Sequence, residues 1–436
     1  MYSASALYKG KSMERIVMTS YARTPLDSQK GKEFQEMSIP DLALASFKAA
    51  LERSKLGNRD VDGVVAGNVN QGTGEALNLG RHLALKAGLD IDTAQAYTVN
   101  RICGSGFQAV ASCMMQIWAG EGDVFVAAGC EMNSHKMISL PLDYAWKGMP
   151  KGGIVLGGGP KGDASFPLDR FGTEYVAEDG TVIPYMGPAL TVEKAAKLYN
   201  VSREEADIFA NDSQAKMKRA QAENRFENEI VPIEYPVTDR KGKVTMVKCD
   251  TDLHPKPDTN MEGLAKLPPA FVPGGVVTAG NASGSVDGSA SIVLMSETEQ
   301  KRRGLPNLGY VNAFAFAGCD PTIMGTGPVP AIQRLFAKTG MGFDDIDAIE
   351  INEAFAAQVV SCIKLFGEEI GGKIYQKLNP NGGAVSIGHP EGCTGVRLTM
   401  TMAEELRRTG KRFGVSAACI GGGQGGAVLI ENPDFA

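Results

Sequence analysis

The stretch VNRICGSGFQA, residues 99–109, places a cysteine among small residues where a strand should turn into a helix. An apolar run precedes it, and FQAVASCMMQIWAG follows with helical spacing that ends at Gly120, a residue type that terminates helices without strain. Cys103 would then face the positive end of a helix dipole and nearby backbone N–H groups, which favour the thiolate. Gly104 and Gly106 carry no side chain that would keep a substrate carbonyl from the sulfur. The pattern predicts a reactive thiol, with a structural cysteine in a packed turn as the alternative.

Three later stretches supply partners for such a thiol. Asn352 and Glu353 directly follow the apolar strand IDAIEI, at the strand end where ligand sites form in α/β sheets, although Asn352 could instead cap a helix. His389 lies between a glycine and a proline in a glycine-rich loop, and a histidine can take the proton of a thiol. Cys419 ends the strand FGVSAAC and opens into IGGGQGG, which repeats the local arrangement of Cys103.

Other chemistry-bearing residues point to no second site. His82, His135 and His254 are interpreted as structural, and the wide spacing of the cysteines and histidines contains no paired-ligand motif for a metal. GIVLGGGPKG, residues 153–162, lacks the GK[ST] ending of a phosphate-binding loop and is interpreted as a flexible loop.

Composition limits the partners and the compartment. The 436 residues suffice for two or three domains, and the net charge of −6 comes without a basic tract, which argues against nucleic acid or an anionic membrane surface. The eight cysteines form no CxxC pair, which is typical of reduced thiols in the cytoplasm. The chain contains no run of 18 apolar residues, so no membrane span is predicted. The first residues are interpreted as a tail. The alternative is an organellar presequence, which would imply a matrix location.

Apolar periodicity predicts alternating strands and helices, which is typical of an α/β fold. The order of elements in the first part recurs in the last, a weak internal duplication. Ser202 to Glu205 fit a capping box that opens a helix to about Arg219, and residues 276–296 are predicted as strand, turn, helix and strand. The expected boundaries are 1–133 for the first part of an N-terminal half, 134–274 for an inserted loop or lid domain, 275–306 for the completion of that half, and 307–436 for a C-terminal half.

Taken in order, VNRICGSG, NEAF, GHP and CIGGG resemble the thiolase family. Three further stretches share the resemblance: HPKPDTNMEGLAKLPPAF (254–271), TAGNASG (278–284) and MGTGPVPA (324–331). The resemblance runs from about Glu14 to the C-terminus. It implies a five-layered α-β-α-β-α core of two similar halves with an inserted loop domain, assembled as a homodimer or homotetramer.

The resemblance also assigns catalytic roles. Cys103 would accept the acyl group, and His389 would activate it. Asn352 would hold a water that forms one oxyanion hole with the His389 ring, and the backbone N–H groups of Cys103 and Gly421 would form the other. Cys419 would move the proton on the α-carbon of the second acyl group.

The implied substrates are acyl-CoA and coenzyme A, with no metal or redox cofactor. Residues that match the coenzyme A channel or acyl pocket of the family are Leu267, Phe271, Ser283, Met324, Phe355 and Met186.

The expected reaction is ping-pong acyl transfer through a cysteine thioester, either Claisen condensation of two acyl-CoA molecules or the reverse cleavage of a 3-ketoacyl-CoA. The main reading is an acetyl-CoA C-acetyltransferase, and the alternative is a 3-ketoacyl-CoA thiolase for longer or aromatic chains. A non-catalytic acyl-CoA-binding protein of the same fold is a third reading, although all four motifs are present.

The sequence departs from short-chain members of the family at three positions. Tyr185 stands where many of them have a histidine before the Met-Gly pair. Glu391 and Cys393, in HPEGCTG, replace an apolar residue and an alanine. These changes concern the selection of the acyl chain.

Overall fold

The computed structural model describes residues 14–28, 33–71, 76–135, 174–176, 182–184 and 187–435. The predicted N-terminal tail, the loop at 153–162, Tyr185 and Met186 lie outside these residues. The strands are β1 (Ile16–Arg23), β2 (Gly63–Gly67), β3 (Gln95–Val99), β4 (Val124–Glu131), β5 (Glu174–Val176), β6 (Val182–Pro184), β7 (Ile233–Thr238), β8 (Val244–Cys249), β9 (Gly288–Ser296), β10 (Gly309–Gly318), β11 (Ala348–Ile351), β12 (Phe413–Ile420) and β13 (Gln424–Glu431). The α-helices are α1 (Ile39–Ser54), α2 (Leu79–Lys86), α3 (Ser105–Ala119), α4 (Pro188–Leu198), α5 (Arg203–Ala222), α6 (Met261–Ala265), α7 (Glu297–Arg303), α8 (Pro328–Thr339), α9 (Ala356–Leu365), α10 (Lys373–Lys377), α11 (Ala384–Ile387) and α12 (Glu391–Thr409).

Nine strands form one sheet in the order β11-β12-β13-β10-β1-β9-β4-β2-β3. The order β2-β4-β9-β1 in the first half matches β11-β12-β13-β10 in the second, each with one parallel pair followed by two antiparallel pairs. This repeat confirms the predicted internal duplication. The two halves join where Ile16–Met18 of β1 pairs with β10.

Side chains alternate across the strands and build the five expected layers. In the first half, Val64 packs on the outer side with α1 and α2, whereas Val65 packs on the inner side with α3 and α12. In the second half, Val428 packs inward against the same two helices and Leu429 packs outward with α8 and α9. The helices α3 and α12 are therefore the middle layer, between the two halves.

The two middle helices touch backbone to backbone. A Cβ atom on Gly106 would lie 2.7 Å from the backbone nitrogen of Gly395, and one on Gly395 would lie 2.1 Å from the backbone nitrogen of Phe107. Only glycine fits at such a distance. Since α3 follows Cys103 and α12 follows His389, this crossing fixes how the two loops approach each other.

One predicted segment differs in the structure. Residues 276–287 form a loop rather than the predicted strand, turn and helix, because the side chain of Asn281 organises the segment. Its Oδ1 accepts from the N–H of Thr278, and its Nδ2 donates to Asp207 and to the carbonyl of Val276. After β11, residues 352–355 continue past the strand in irregular conformation, and α9 begins at Ala356.

The capping box at Ser202 is confirmed, with α5 running from Arg203 to Ala222. Among the described residues, no helix is long and apolar enough to cross a membrane. The domain boundaries expected from the sequence stay a prediction.

Candidate active site

Cys103 lies in a strained turn between β3 and α3, as the sequence predicts. The preceding residue, Ile102, has a φ of 48°, a left-handed conformation that costs a β-branched residue about 1–3 kcal/mol. Asn100 Oδ1 accepts the N–H of Ile102 at 3.0 Å. The hydroxyl of Ser105 donates to the carbonyl of Ile102 at 2.7 Å and accepts the N–H of Arg101 at 2.8 Å. These bonds hold the turn that carries Cys103.

The surroundings of the Cys103 thiol join the two halves of the chain. Desolvation raises the pKa of this thiol well above its ordinary value, and the electrostatic influence of Cys419 and Glu391 acts in the same direction. The backbone N–H groups of Gly421 and of Cys103 itself interact with the thiol and lower its pKa by less. The expected effect of the backbone N–H groups is therefore present, but desolvation outweighs it. A base is needed to ionise this cysteine.

His389 is buried and held in one orientation. Its backbone N–H donates to the carbonyl of Gly284 at 2.8 Å. Its Nδ1 lies 2.7 Å from the Thr394 hydroxyl, which itself donates to the carbonyl of Pro390 at 2.9 Å. Since the hydroxyl has one proton, it accepts from Nδ1–H, and this tautomer leaves a lone pair on Nε2. Asn352 Nδ2 lies 3.4 Å from that Nε2.

Asn352 extends the pairing of β11 with β12 by one residue, since its backbone N–H donates to the carbonyl of Ala417 at 2.8 Å. The side chain is 1% exposed, and among the described residues its Oδ1 has no hydrogen-bond partner. Such a buried acceptor is a place for a bound water or a substrate donor.

Cys419 is fully buried in β12, where it packs with Met324, Ala354 and Phe355. Burial raises the pKa of its thiol, followed by smaller contributions from Cys362 and Cys319. The residue is therefore a neutral thiol at rest, able to donate a proton. In contrast to Cys103, it lies in a regular strand opposite Gly425.

Glu353 holds the loops of the site together. Its buried carboxylate accepts from Ser213 Oγ of α5 at 2.7 Å, from Asn379 Nδ2 at 2.7 Å and from the N–H of Val385 at 3.0 Å. The GHP loop is thereby tied to the end of β11. The sequence indicates only that this carboxylate follows the strand, since its partners come from distant segments.

The residues expected to bind the substrate are brought together in part. Met324 and Phe355 lie against Cys419, and the N–H of Ser283 donates to the carbonyl of Ala354 at 3.0 Å. Leu267 lies over the loop that contains Ser283, residues 278–284. A Cβ atom on Gly280 of this loop would come within 2.5 Å of the Leu267 side chain. Phe271, by contrast, is 53% exposed.

Sequence reasoning missed Thr394, Asn100 and Ser105. Thr394 stands five residues after His389, in the first turns of a helix, and this spacing is the signal that could have found it. His254 is buried against Gly284, and burial lowers its pKa to about 4. That His254 is structural stays a prediction. Among the described residues, no group of three or more His, Cys, Asp or Glu side chains could hold a metal ion.

Two family models match the chain. Residues 16–298 match the thiolase N-terminal domain, and residues 305–432 match the thiolase C-terminal domain.

Relatives and solved structures match nearly the whole length. A mitochondrial 3-ketoacyl-CoA thiolase of Bos taurus is 38% identical over 423 residues, covering 96% of this chain and 98% of the relative. An acetyl-CoA acetyltransferase of Shinella zoogloeoides is 38% identical over 423 residues, covering 97% and 100%. The crystal structure of human mitochondrial 3-ketoacyl-CoA thiolase in complex with CoA has a TM-score of 0.81 at 35% identity, covering 96% of this chain and 98% of that one.

Proposed function

This chain belongs to the thiolase family, a family of acyltransferases, and we propose that it acts as a 3-ketoacyl-CoA thiolase that cleaves its substrate with free coenzyme A. The observation that carries the proposal is the arrangement at the strand ends. Cys103 lies within electrostatic reach of Cys419 and against the N–H of Gly421, while the oriented His389 ring meets Asn352. We propose that these residues act together as nucleophile, base, acid and hydrogen-bond donors.

In the first half-reaction, Nε2 of His389 takes the proton of the Cys103 thiol, and the sulfur attacks the 3-keto carbon. Backbone N–H groups of Cys103 and Gly421 are one candidate oxyanion hole, and a water on Asn352 with the His389 ring is the other. Each such donor is worth about 3–4 kcal/mol. The bond between C2 and C3 then breaks, and Cys419 gives its proton to C2, so that acetyl-CoA leaves and the acyl group stays on Cys103.

In the second half-reaction, the Cys419 thiolate takes the proton of the incoming coenzyme A thiol. The resulting coenzyme A thiolate attacks the carbonyl carbon of the Cys103 thioester. The carbon–sulfur bond to Cys103 breaks, and acyl-CoA leaves. The proton on His389 returns to the Cys103 sulfur. The raised pKa of both cysteine thiols suits this order of steps, because each begins the cycle as a neutral thiol.

The comparisons support this activity better than the main reading from the sequence, an acetyl-CoA C-acetyltransferase. The name 3-ketoacyl-CoA thiolase recurs among relatives from mammals and bacteria, whereas acetyl-CoA acetyltransferase is the name of the Shinella zoogloeoides relative. Met324 and Phe355, beside Cys419, are proposed to line the acyl pocket, with Leu267 and Ser283 toward the coenzyme A chain.

We also infer a homodimer or homotetramer. The edge strand β3 of the nine-stranded sheet exposes Tyr97, and Ile102 of the adjoining turn and Met115 of α3 are likewise 36% or more exposed. Among the described residues β3 pairs on one side only, and an edge strand beside exposed apolar side chains favours pairing with a second copy.

An aqueous, reducing compartment, the cytoplasm or an organellar matrix, fits the free thiol state of all eight cysteines.

Thiolysis of a panel of 3-ketoacyl-CoA thioesters tests the proposal. We expect coenzyme A-dependent cleavage, with kcat/KM higher for chains longer than acetoacetyl-CoA. Cleavage confined to acetoacetyl-CoA would favour the acetyltransferase instead, and no cleavage with any chain would contradict thiolase activity.

A further inference from the structure

A polar stripe runs along the middle helix α12, inside the molecule. It consists of four residues, each 5% exposed or less, that share one face of the helix at intervals of three or four: Thr394, Arg397, Thr401 and Glu405. At one end of this polar stripe, Thr394 Oγ1 lies 2.7 Å from His389 Nδ1. At the other end, Thr401 and Glu405 line a cavity of about 350 Å³. The polar stripe therefore extends from the proposed active site to the opposite end of α12.

Strand β11 faces the polar stripe with Glu350. On the neighbouring strand β12, Ser416 stands beside Glu350, and its hydroxyl donates to the carbonyl of Leu398 in α12 at 3.1 Å. Two residues further along, Asn352 faces the same helix, because its Nδ2 lies 3.4 Å from His389 Nε2. Residues two apart on a strand share a face and are about 7 Å from each other. Glu350 therefore lies one step behind Asn352, as seen from the active site.

The polar atoms that face this space are buried without partners. Among the described residues, neither carboxylate oxygen of Glu350 has a hydrogen-bond partner, and the same is true of Arg397 Nη2 and Asn352 Oδ1. Burial raises the pKa of Glu350 to about 8, and the charge of Arg397 is the largest influence that opposes this shift. Polar and charged groups are costly to bury unpaired. Internal water, which makes about three hydrogen bonds where polar groups converge, would satisfy them.

The polar stripe reaches the surface at the end far from His389. Thr401 and Glu229, both buried, line the cavity together with the exposed Glu227. Glu405 lines it as well, and its Oε2 accepts Asn381 Nδ2 at 3.0 Å. Water therefore has a polar entrance on the side of α12 opposite His389.

We propose that a row of internal water molecules fills the space between β11 and the polar stripe, and that Glu350 is a positioning residue for the water on Asn352. The inference rests on the proposed thiolysis and names how one of its oxyanion holes is held. A water that donates to Asn352 Oδ1 and to the oxyanion has used both of its protons, so only a donor behind it fixes it further. The next water of the row supplies that donor and gives its second proton to a hydrogen bond with Glu350. Arg397 donates to the row from α12.

High-resolution crystal structures and thiolysis kinetics test the proposal together. In the unmodified enzyme, we expect ordered water from Asn352, past Glu350 and Arg397, to Thr401. Glu350→Leu combined with Arg397→Met removes both buried charges at similar volume, so this double variant should fold. It should lose the row of water, and kcat should fall by about tenfold to a hundredfold while the KM for coenzyme A stays unchanged.

Two further variants separate the role of the row from packing. Glu350→Gln keeps a side chain that bonds water, and it should keep both the row and most of kcat. The matched control is Thr399→Val. Thr399 lies two residues from Arg397, on the other side of α12, and its hydroxyl donates to the carbonyl of Gly395 at 2.8 Å. This control should leave the row and kcat unchanged.

The absence of ordered water between Asn352 and Thr401 in the unmodified enzyme, or full kcat in the folded double variant, would overturn the proposal. Loss of kcat in Glu350→Gln with the water in place would overturn the positioning role as well. If the double variant does not fold, the water positions in the unmodified enzyme decide. Failure of the unmodified enzyme to cleave any thioester, acetoacetyl-CoA included, would contradict thiolysis itself, and the crystal structure then tests the row of water independently.

Discussion

The loops that precede the two middle helices occupy equivalent places in the two halves, yet they hold their functional side chains by different means. Before α3, the turn is held through the backbone, with Ile102 at a φ of 48° and side chains bonded to main-chain groups around it. Before α12, a side-chain contact between Thr394 and His389 orients the imidazole ring.

The difference shows what the duplicated fold does and does not determine. It brings a loop, a helix N-terminus and a strand end to the same place in each half. The chemistry then differs with the local contacts: a partly accessible thiol in one half, and an oriented imidazole with a buried thiol in the other. In the proposed mechanism, the site is complete only where the halves meet.

The largest effect should come from breaking that junction. Gly395→Ala would place a Cβ atom 2.1 Å from the backbone nitrogen of Phe107, with no flexible side chain to move aside. We expect the free energy of unfolding to fall by about 2–3 kcal/mol and turnover to fall with it, because α3 and α12 must separate. Chemical denaturation with a parallel thiolysis assay measures both.

The matched control is Gly263→Ala, at an open helical position where the nearest contact is 3.4 Å away. It should leave stability unchanged or raise it by up to about 1 kcal/mol. Wild-type stability in Gly395→Ala would show that the helix crossing does not set the junction.

A smaller effect should show whether the side chain of Thr394 orients the His389 ring. Thr394→Ala removes the acceptor for Nδ1–H of His389 and frees the tautomer, so we expect kcat to fall about tenfold to a hundredfold with little loss of stability. Thr394→Ser keeps the hydroxyl and should retain most of the activity. The rate of Cys103 alkylation by iodoacetamide, measured against pH, directly reports the loss of an oriented base for the thiol.

Equal pH profiles of alkylation in wild-type and Thr394→Ala would mean that the threonine does not position the base. Loss of activity in Thr394→Ser as well would assign the effect to packing of the methyl group.

Much of this arrangement could be predicted from the sequence, because its signals are local. The strand, turn and helix around Cys103, with Gly120 at the helix end, follow from apolar periodicity and glycine placement. The positions of Asn352 and Cys419 at strand ends follow from the same pattern.

What could not be predicted depends on distant contacts. The loop at 276–287 follows from bonds between Asn281 and Asp207, which lie 74 residues apart. The raised pKa of the Cys103 thiol follows from desolvation, which outweighs the backbone N–H groups of Gly421 and Cys103 that lower it. The partners of Glu353 come from two other segments of the chain.

The central claim is that the two cysteines do different work, and one measurement tests it most directly. Wild-type, Cys103→Ala and Cys419→Ala enzymes are mixed with acetyl-CoA, and intact mass and thiolysis are recorded for each. We predict one acetyl group on wild-type and on Cys419→Ala, none on Cys103→Ala, and thiolysis reduced by about 10²–10⁴-fold in Cys419→Ala. Acetylation of Cys103→Ala at the wild-type rate, or full thiolysis by Cys419→Ala, would contradict this division of roles.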